Sequence, residues 1–275
     1  MNLYYLGPQG SYSSIVAHKA FAESFYAHTP VENLRTILAH VQTDKEGIGI
    51  VPIENSITSN VHESMDYLFE TDLKIIGEAR LKITLHLIGR TGTELSKVTK
   101  VYSHPQALHQ CSAFLQEHKI DTEEVVSTAA GQRHVLAQSG AEEALIGSGE
   151  LAKREELEIL ADDLGNVQNN VTRFLFVGHK DIAQEETEQK RATFTFRVKH
   201  EAGALVDVLN KLAAAGANLT SIESRPIPGS DFEYKFWIDV EAHSQSIDDI
   251  TAVIKKNTAE HRVLGVYPKG DTYES

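Results

Sequence analysis

Strand-like and helix-like segments alternate along the first 178 residues, and each strand-like segment ends in a cluster of small or polar residues. The clusters are GPQGSYS (7–13), ENS (54–56), SHPQ (103–106), STAAG (127–131) and GSG (147–149). Such alternation is typical of a doubly wound, largely parallel α/β sheet. The carboxyl ends of its strands meet along one edge, where ligands bind. The sequence therefore predicts an α/β domain over 1–178 with a binding site at these clusters.

Two apolar segments, near 83–89 and 173–178, are predicted to cross between two lobes that enclose a cleft. Several helix N-termini would face that cleft, and their free N–H groups and positive dipole ends favour an anion. The formal net charge of the chain is −13. An anionic ligand would therefore be bound by local donors and not by the field of the whole protein.

A second pattern follows the charged stretch 179–191, HKDIAQEETEQKR, which is typical of a linker or a solvent-exposed helix. Over 192–269 the hydrophobic periodicity predicts the order strand, helix, strand, strand, helix, strand. This βαββαβ order predicts a small ferredoxin-like domain, followed by a tail over 270–275. Because each part has its own periodic core, each is expected to fold alone.

The composition excludes several classes of protein. A length of 275 residues is sufficient for two domains, and no apolar run approaches the roughly 18 to 20 residues that span a bilayer. The N-terminal segment lacks a signal-peptide pattern, and the single cysteine, Cys111, fits a reducing cytoplasm. The net charge of −13 disfavours nucleic acids and anionic membranes as partners. A cytoplasmic location is therefore expected.

Most individual motifs have an ordinary structural interpretation. Ser103 ahead of Pro105 is typical of a helix start, and Cys111 has no evident base, so packing is its expected role. His86 and His104 match no metal-ligand spacing, and the glycines form no nucleotide-binding fingerprint. No metal and no cofactor are therefore expected.

The cluster NNVTRF at 169–174 is harder to explain by structure alone. It places an amide, a hydroxyl and a guanidinium, those of Asn170, Thr172 and Arg173, directly before the buried strand that Phe174 begins. A plain loop at this position needs only turn-forming residues. The cluster is therefore interpreted as a ligand site.

Together, the motifs GPQGSYS, VPIENS, SHPQALHQC, STA, NVTRF, GAL and ESRP resemble those of prephenate dehydratase with a C-terminal ACT domain. They occur in the family's order along essentially the whole chain. The chain departs from the family pattern at Ser14 (usually glutamate), Ser59 (usually glycine), Asn166 (often aspartate) and Ala202 (usually proline). The resemblance implies a two-lobed catalytic domain, like a periplasmic binding protein, over 1–178 and an ACT regulatory domain over 192–269.

The resemblance implies a lyase that converts prephenate to phenylpyruvate, CO2 and water in phenylalanine biosynthesis. This reaction gains aromaticity, so positioning of the substrate and a donor to the departing hydroxyl are sufficient in principle. Thr172 is similar to the family's essential threonine, and His104 is the alternative acid. Arg173 would bind a carboxylate or, if structural, tie the lobes together, and Asn170 would hold the loop or a substrate oxygen. The further candidate cleft residues are Asn55, Ser56, Ser103, His104, Gln106, Thr128 and Phe174.

The ACT resemblance implies inhibition by phenylalanine and pairing with a second copy, as a homodimer or homotetramer. The segments that match the family's effector motifs are Gly203, Ala204 and Leu205, and Glu223, Ser224, Arg225 and Pro226. They would meet across a two-fold pair of ACT domains.

The sequence leaves two alternatives open. One is an enzyme that acts on arogenate, or that removes CO2 without aromatisation. The other is a non-catalytic sensor of amino acids or aromatic acids, because binding proteins share the two-lobed architecture. A sensor has no need of a donor to a leaving group, so the NVTRF segment favours an enzyme.

Overall fold

The computed structural model of the protein describes residues 1–126, 128–137, 142–153, 156–179, 187–199, 201–227, 229 and 233–275, without the side chains of residues 128 and 129. These residues form two lobes and a C-terminal domain, each built on its own sheet. No helix in this part of the chain has the length and apolar character required to cross a membrane.

The first lobe is built on one sheet with helices on both faces. Its elements are β1 (Asn2–Leu6), α1 (Tyr12–Ala20), β2 (Ala27–Val31), α2 (Leu34–Thr43), β3 (Ile48–Asn55), β4 (Ser59–Asn60), α3 (His62–Phe69), β5 (Lys74–Lys82), β11 (Val171–Gly178) and β16 (Thr272–Glu274). The strands lie in the order β16-β5-β11-β3-β1-β2, with β4 paired to β3. Helix α1 on one face and helices α2 and α3 on the other bury the apolar side chains of the sheet in two separate clusters.

The elements of the second lobe are β6 (His86–Arg90), β7 (Lys100–Ser103), α4 (Pro105–Gln110), α5 (Ser112–His118), β8 (Asp121–Glu124), α6 (Thr128–Ala137), β9 (Glu143–Gly147) and β10 (Leu157–Ala161), with 3-10 turns at Leu95–Lys97 and Gly149–Lys153. The strands of its sheet lie in the order β10-β6-β9-β7-β8. Cys111 is fully buried in the core of this lobe, and burial raises the pKa of its thiol to about 12. The predicted packing role of Cys111 is confirmed.

The two-lobed α/β architecture is confirmed, but the prediction that 173–178 crosses between the lobes is wrong, because these residues lie within β11 of the first lobe. The chain crosses between the lobes at 83–85 and 162–170, and the crossings meet where the Ile83 amide donates to the Asn170 carbonyl at 2.7 Å. Both sheets are mixed, because β11 is antiparallel to β3 and β5, and β6 is antiparallel to β9 and β10. A strand that returns from the opposite lobe enters the sheet in the reverse direction.

The C-terminal domain has the predicted βαββαβ order. Its elements are β12 (Gln189–Arg197), α7 (Ala204–Ala214), β13 (Asn218–Pro226), β14 (Tyr234–His243), a 3-10 turn (Ser244–Ser246), α8 (Ile247–Asn257) and β15 (Glu260–Pro268). The sheet is antiparallel, in the order β13-β14-β12-β15. Helices α7 and α8 cover one face of it. The other face lies against the first lobe.

The two domains share one apolar cluster in addition to their separate cores. Trp237 of β14 and Tyr267 of β15 are fully buried together with Leu175 and Val177 of β11. The predicted linker and tail also take part in the structure, because β12 begins inside 179–191 and β16 pairs with β5 of the first lobe. Without the C-terminal domain, residues 1–178 would expose Leu175 and Val177 of β11 to solvent. This part of the chain alone therefore lacks some of the apolar contacts of the folded protein.

Two arginines are buried where the domains meet. The Arg173 guanidinium lies beside Glu78 at 3.4 Å and donates to Asp239, while Arg191 lies beside Glu78 at 3.0 Å and donates to Glu241. Burial alone would lower the pKa of Arg173, but the neighbouring carboxylates, Asp239 foremost, raise it above the ordinary value. The guanidinium is therefore permanently charged, and one of its counter-ions, Asp239, belongs to the other domain.

We expect Asp239→Asn to destabilise the protein by about 3 kcal/mol, because breaking a buried pair leaves an uncompensated charge. Thermal unfolding should show a midpoint lower by several degrees. Glu94→Gln is the matched control, since Glu94 pairs with Lys97 at 2.8 Å on the surface. Exposed pairs contribute little, so this control should unfold like the parent protein. Equal midpoints for Asp239→Asn and Glu94→Gln would contradict a stabilising role for the buried pair.

Candidate active site

A cleft of about 340 Å³ lies between the two lobes. The first lobe contributes the start of α1, the end of β3 and the start of β11, and the second lobe contributes the start of α4. The predicted residues Asn55, His104, Gln106, Asn170, Thr172 and Phe174 all line it. The structure therefore brings together strand ends and helix starts from both lobes, as the sequence predicts.

Side-chain alternation along β11 decides which residues of the NVTRF segment face the cleft. Thr172 and Phe174 line the cleft, whereas Arg173 and Leu175 point to the opposite face, toward the C-terminal domain. Successive side chains of a strand point to opposite faces of its sheet. The threonine and the arginine are adjacent in sequence, so they cannot act on one ligand from this strand.

The Asn55 amide organises the polar side chains of the cleft. Its Oδ1 accepts from the backbone amides of Ile57 and Thr58, both at 3.0 Å, which fixes the orientation of the amide. Its Nδ2 therefore faces β11, where it donates to Asn170 Oδ1 at 2.7 Å and to Thr172 Oγ1 at 3.0 Å. The Thr172 hydroxyl accepts from an amide group that can only donate, so its own proton is free for another partner.

On the second lobe, His104 is the N-cap of α4, and its Nδ1 accepts from the Gln106 amide at 3.2 Å. A nitrogen that accepts carries no proton, so the neutral ring carries its proton on Nε2. Gln106 donates from Nε2 to Thr58 Oγ1 of the first lobe at 2.9 Å. The two lobes are thus in contact across the cleft through side chains as well as through the crossings.

The carboxylate-binding role predicted for Arg173 is wrong. Its side chain is 5% exposed, and its guanidinium is occupied by Glu78 and Asp239 on the face away from the cleft. The alternative prediction, that Arg173 ties the two lobes together, is also wrong. Arg173 joins the first lobe to the C-terminal domain and not to the second lobe. The sequence motif does not show that Arg173 points to the face of β11 opposite Thr172, where the C-terminal domain packs.

Two predicted serines do not line the cleft. Ser103 is fully buried in β7 and donates to the Ile146 carbonyl at 2.7 Å, so His104 and not Ser103 caps α4. Ser56 donates to the Asn169 carbonyl at 3.0 Å and accepts from the Val171 amide at 2.9 Å, which pins the loop before β11. The side chain of Thr128 lies outside the described residues.

Sequence reasoning missed five polar residues that line the cleft: Ser11 and Ser13 at the start of α1, and Tyr12, Thr58 and Gln110, which are the three largest. Gln110 is buried and accepts from Asn170 Nδ2 at 3.2 Å, which continues the polar side chains from Asn55. Burial raises the pKa of the Tyr12 phenol, and the nearby Cys111 raises it further, so the phenol stays protonated. Each of these three lies within one of the sequence motifs or two residues after one. Inspection of the motifs together with their flanking residues could therefore have identified them.

The predicted effector residues divide into two groups. Gly203, Ala204 and Leu205 line a groove of about 350 Å³ in the C-terminal domain, with Tyr234 and Phe236. On β13, Glu223 and Arg225 instead contact the first lobe: Asn60 Nδ2 donates to Glu223 at 2.5 Å, and Arg225 donates two hydrogen bonds to Asp66 at 2.9 and 2.6 Å. Ser224 and Pro226 are exposed between and beyond them. The side chains of Glu223 and Arg225 are therefore engaged within the chain and are not free for an effector.

Comparison with known proteins identifies both domains. The prephenate dehydratase family model matches residues 3–182, and the ACT domain model matches residues 192–256. A prephenate dehydratase of Methanocaldococcus jannaschii is 34% identical, over 97% of this chain and 98% of that protein. A bifunctional chorismate mutase/prephenate dehydratase of Aquifex aeolicus is 35% identical, over 96% of this chain and 73% of that protein. The crystal structure of the Arthrobacter aurescens prephenate dehydratase in complex with L-Phe matches with a TM-score of 0.88 at 30% identity, covering 98% of this chain and 90% of that one.

A ligand cleft between two α/β lobes, joined to an ACT domain, is the architecture of a ligand-binding protein with a regulatory domain. The chain belongs to the prephenate dehydratase family, whose members convert prephenate to phenylpyruvate with loss of CO2 and water. The chain carries out this conversion. The assignment favours the enzyme over the sensor that the sequence alone left open.

The structure gives a physical setting to three departures from the family pattern. Asn166 caps the start of α5, where its Oδ1 accepts from the Ala113 amide at 3.2 Å. Ser14 is buried in α1 and lines a separate cavity beside His18, outside the cleft. Ser59 has a φ of +72°, which lies in the left-handed region that favours glycine.

We expect Ser59→Gly to stabilise the protein by up to about 1 kcal/mol, because relief of the left-handed strain exceeds the entropic cost of glycine. Chemical denaturation of the two proteins measures the difference. Ser96→Gly is the control, since Ser96 is exposed in a 3-10 turn and is not among the described residues with positive φ. That change should be destabilising. A loss of stability in both variants would rule out strain at Ser59.

Proposed function

We propose that Thr172 donates a hydrogen bond to the hydroxyl group that leaves prephenate. The observation that supports this role is the hydrogen bond from Asn55 Nδ2 to Thr172 Oγ1 at 3.0 Å, because it directs the threonine proton elsewhere. As CO2 departs, the electrons of its carbon–carbon bond enter the ring, and the carbon–oxygen bond breaks with its electron pair on oxygen. The hydroxide that leaves takes one proton from the solvent and becomes water. A donor at that oxygen stabilises the charge that develops there.

The carboxylates of prephenate are proposed to bind to neutral donors. Among the described residues that line the cleft, none is lysine or arginine. Helix α1 directs its N-terminus, residues 11–13, at the cleft, and its first N–H groups and positive dipole end favour a carboxylate. The amides of Gln110 and Asn170 also line the cleft. This arrangement supplies the local donors that a chain of net charge −13 requires.

We expect Thr172→Val to lower kcat at least about a hundredfold and to change KM by less than about threefold, because the lost donor acts mainly in the transition state. Thr172→Ser, which keeps the hydroxyl, should retain most of the activity. Phenylpyruvate formation from prephenate measures both variants, with thermal unfolding as the check on folding. A near-normal kcat in folded Thr172→Val would transfer the donor role to Nε2 of His104.

We propose that phenylalanine inhibits the enzyme by binding at the groove beside Gly203. Gly203 is the N-cap of α7 with a φ of +85°, and a Cβ built there meets no atom within 4 Å, so the space beside it is open to a ligand. The N-terminus of α7 suits the amino-acid carboxylate, and the apolar side chains of Leu205 and Phe236 suit the ring. Leu219 and Ile222 are exposed on β13, an outer strand of the described sheet, so a second ACT domain is the proposed partner there.

Strand β13 supplies a direct route from this domain to the cleft. Glu223 accepts from Asn60 and lies 3.6 Å from His62, and Arg225 binds Asp66. These partners belong to β4 and α3, which follow the Asn55 turn directly along the chain. A shift of β13 on effector binding would therefore move the segment that holds Asn55. Such a shift requires phenylalanine to bind one position of β13 better than another.

We expect Asp66→Asn to raise the phenylalanine concentration needed for half inhibition by about threefold or more, because coupling between sites is lost when their connecting contact is weakened. Activity without phenylalanine and calorimetric binding of phenylalanine should change little. Glu63→Gln, at an exposed position on the same helix, is the control and should be inhibited normally. Unchanged inhibition in Asp66→Asn would exclude this contact from the route.

A further inference from the structure

Four polar side chains form a continuous string that begins on the second lobe and ends at Thr172. Gln106 Nε2 donates to Thr58 Oγ1 at 2.9 Å, and the Thr58 hydroxyl donates to Asn55 Oδ1 at 3.1 Å. The Asn55 amide then donates from Nδ2 to Thr172 Oγ1 at 3.0 Å. The string therefore spans the cleft and ends at the proposed donor to the leaving group.

Every hydrogen bond in the string runs in the same direction. The backbone amides of Ile57 and Thr58 fix Asn55 Oδ1 as an acceptor, so its Nδ2 must be the group at Thr172. The Thr58 hydroxyl has one proton and gives it to Asn55, so it can only accept from Gln106. Hydrogen bonds aligned head to tail polarise one another. The alignment makes the Thr172 hydroxyl a stronger donor than an isolated threonine.

The first bond of the string joins the lobes. Gln106 lies in α4 of the second lobe, and Thr58 lies in the turn between β3 and β4 of the first lobe. Both side chains are exposed at the cleft, where water competes with their hydrogen bond until a ligand fills the space. The string is therefore complete only when the lobes are close together, and it is shielded only when substrate is bound.

We propose that Thr58 is a positioning residue for the dehydratase reaction: it links lobe closure, through Asn55, to the strength of the hydrogen bond that Thr172 donates. The proposal rests on the proposed role of Thr172. It assigns Thr58 no contact with the leaving group, since it acts through two other side chains. In this proposal Gln106 donates to Thr58 and does not contact the substrate directly.

Steady-state kinetics of Thr58→Val and Thr58→Ser test the proposal. Loss of one hydrogen bond of the string should lower kcat about three- to tenfold in Thr58→Val, with KM within about twofold. Thr58→Ser should restore kcat, because serine keeps the hydroxyl. Thr36→Val is the matched control, since Thr36 Oγ1 donates to Asn33 Oδ1 at 2.9 Å in an equivalent Thr–Asn pair at the start of α2. That variant should keep the parent kcat.

A double-mutant cycle separates this proposal from the role of Thr172. If Thr58 acts through Thr172, then Thr58→Val should lower kcat no further in a Thr172→Val background. An equal loss in both backgrounds, an unchanged kcat in Thr58→Val, or equal impairment of Thr58→Ser and Thr58→Val would each overturn the proposal. A normal kcat in Thr172→Val alone would overturn the proposed donor role and, with it, this inference. Thermal unfolding of each variant confirms that the comparison is made between folded proteins.

Discussion

The alternation of side chains along β11 is the constraint on which the rest of the structure depends. The strand lies between β5 and β3 in the sheet of the first lobe, so both of its edges are hydrogen-bonded and its side chains contact other parts of the molecule from its two faces. Thr172 and Phe174 face the cleft on one side, while Arg173 and Leu175 face the ACT domain on the other. A slip of one residue would exchange the two faces. The contacts that bind the regulatory domain therefore also fix the register of the proposed catalytic hydroxyl.

Much of the fold and part of the site could be predicted from local pattern. Periodicity identified the alternating lobes and the βαββαβ domain. The polar clusters after strands located Asn55 and Gln106 at one cleft, and the polar cluster before a strand located Thr172 there. Arg173 could not be placed in this way, because its partners Glu78 and Asp239 lie 95 and 66 residues away in the sequence. Glu223 and Arg225 likewise have partners in a different domain. The spacing of residues along a strand or helix predicts which side chains point to the same face. It does not predict what packs against that face.

The electrostatics of the cleft differ from those of the domain contact. Fixed charges are concentrated where the domains meet, at Arg173, Arg191 and their buried carboxylates, whereas the described lining of the cleft has amides, hydroxyls and a histidine. Oriented dipoles need little rearrangement as charge moves from a carboxylate to a leaving oxygen. A lysine beside the ring carboxylate would stabilise the ground state and oppose its loss as CO2. Neutral donors suit a reaction in which the ring carboxylate loses its charge and leaves as CO2.

Strand β16 has a consequence for how the chain is assembled during synthesis. Thr272 pairs with Arg80 and Tyr273 with Leu81, so the outer strand of the catalytic sheet comes from beyond the ACT domain. Until those residues have left the ribosome, β5 has an open edge, although the whole sequence of the ACT domain has already been synthesised. The catalytic sheet is thus completed late. A nascent chain that has been synthesised as far as Thr172 still lacks β16, the outer strand of the sheet that contains Thr172.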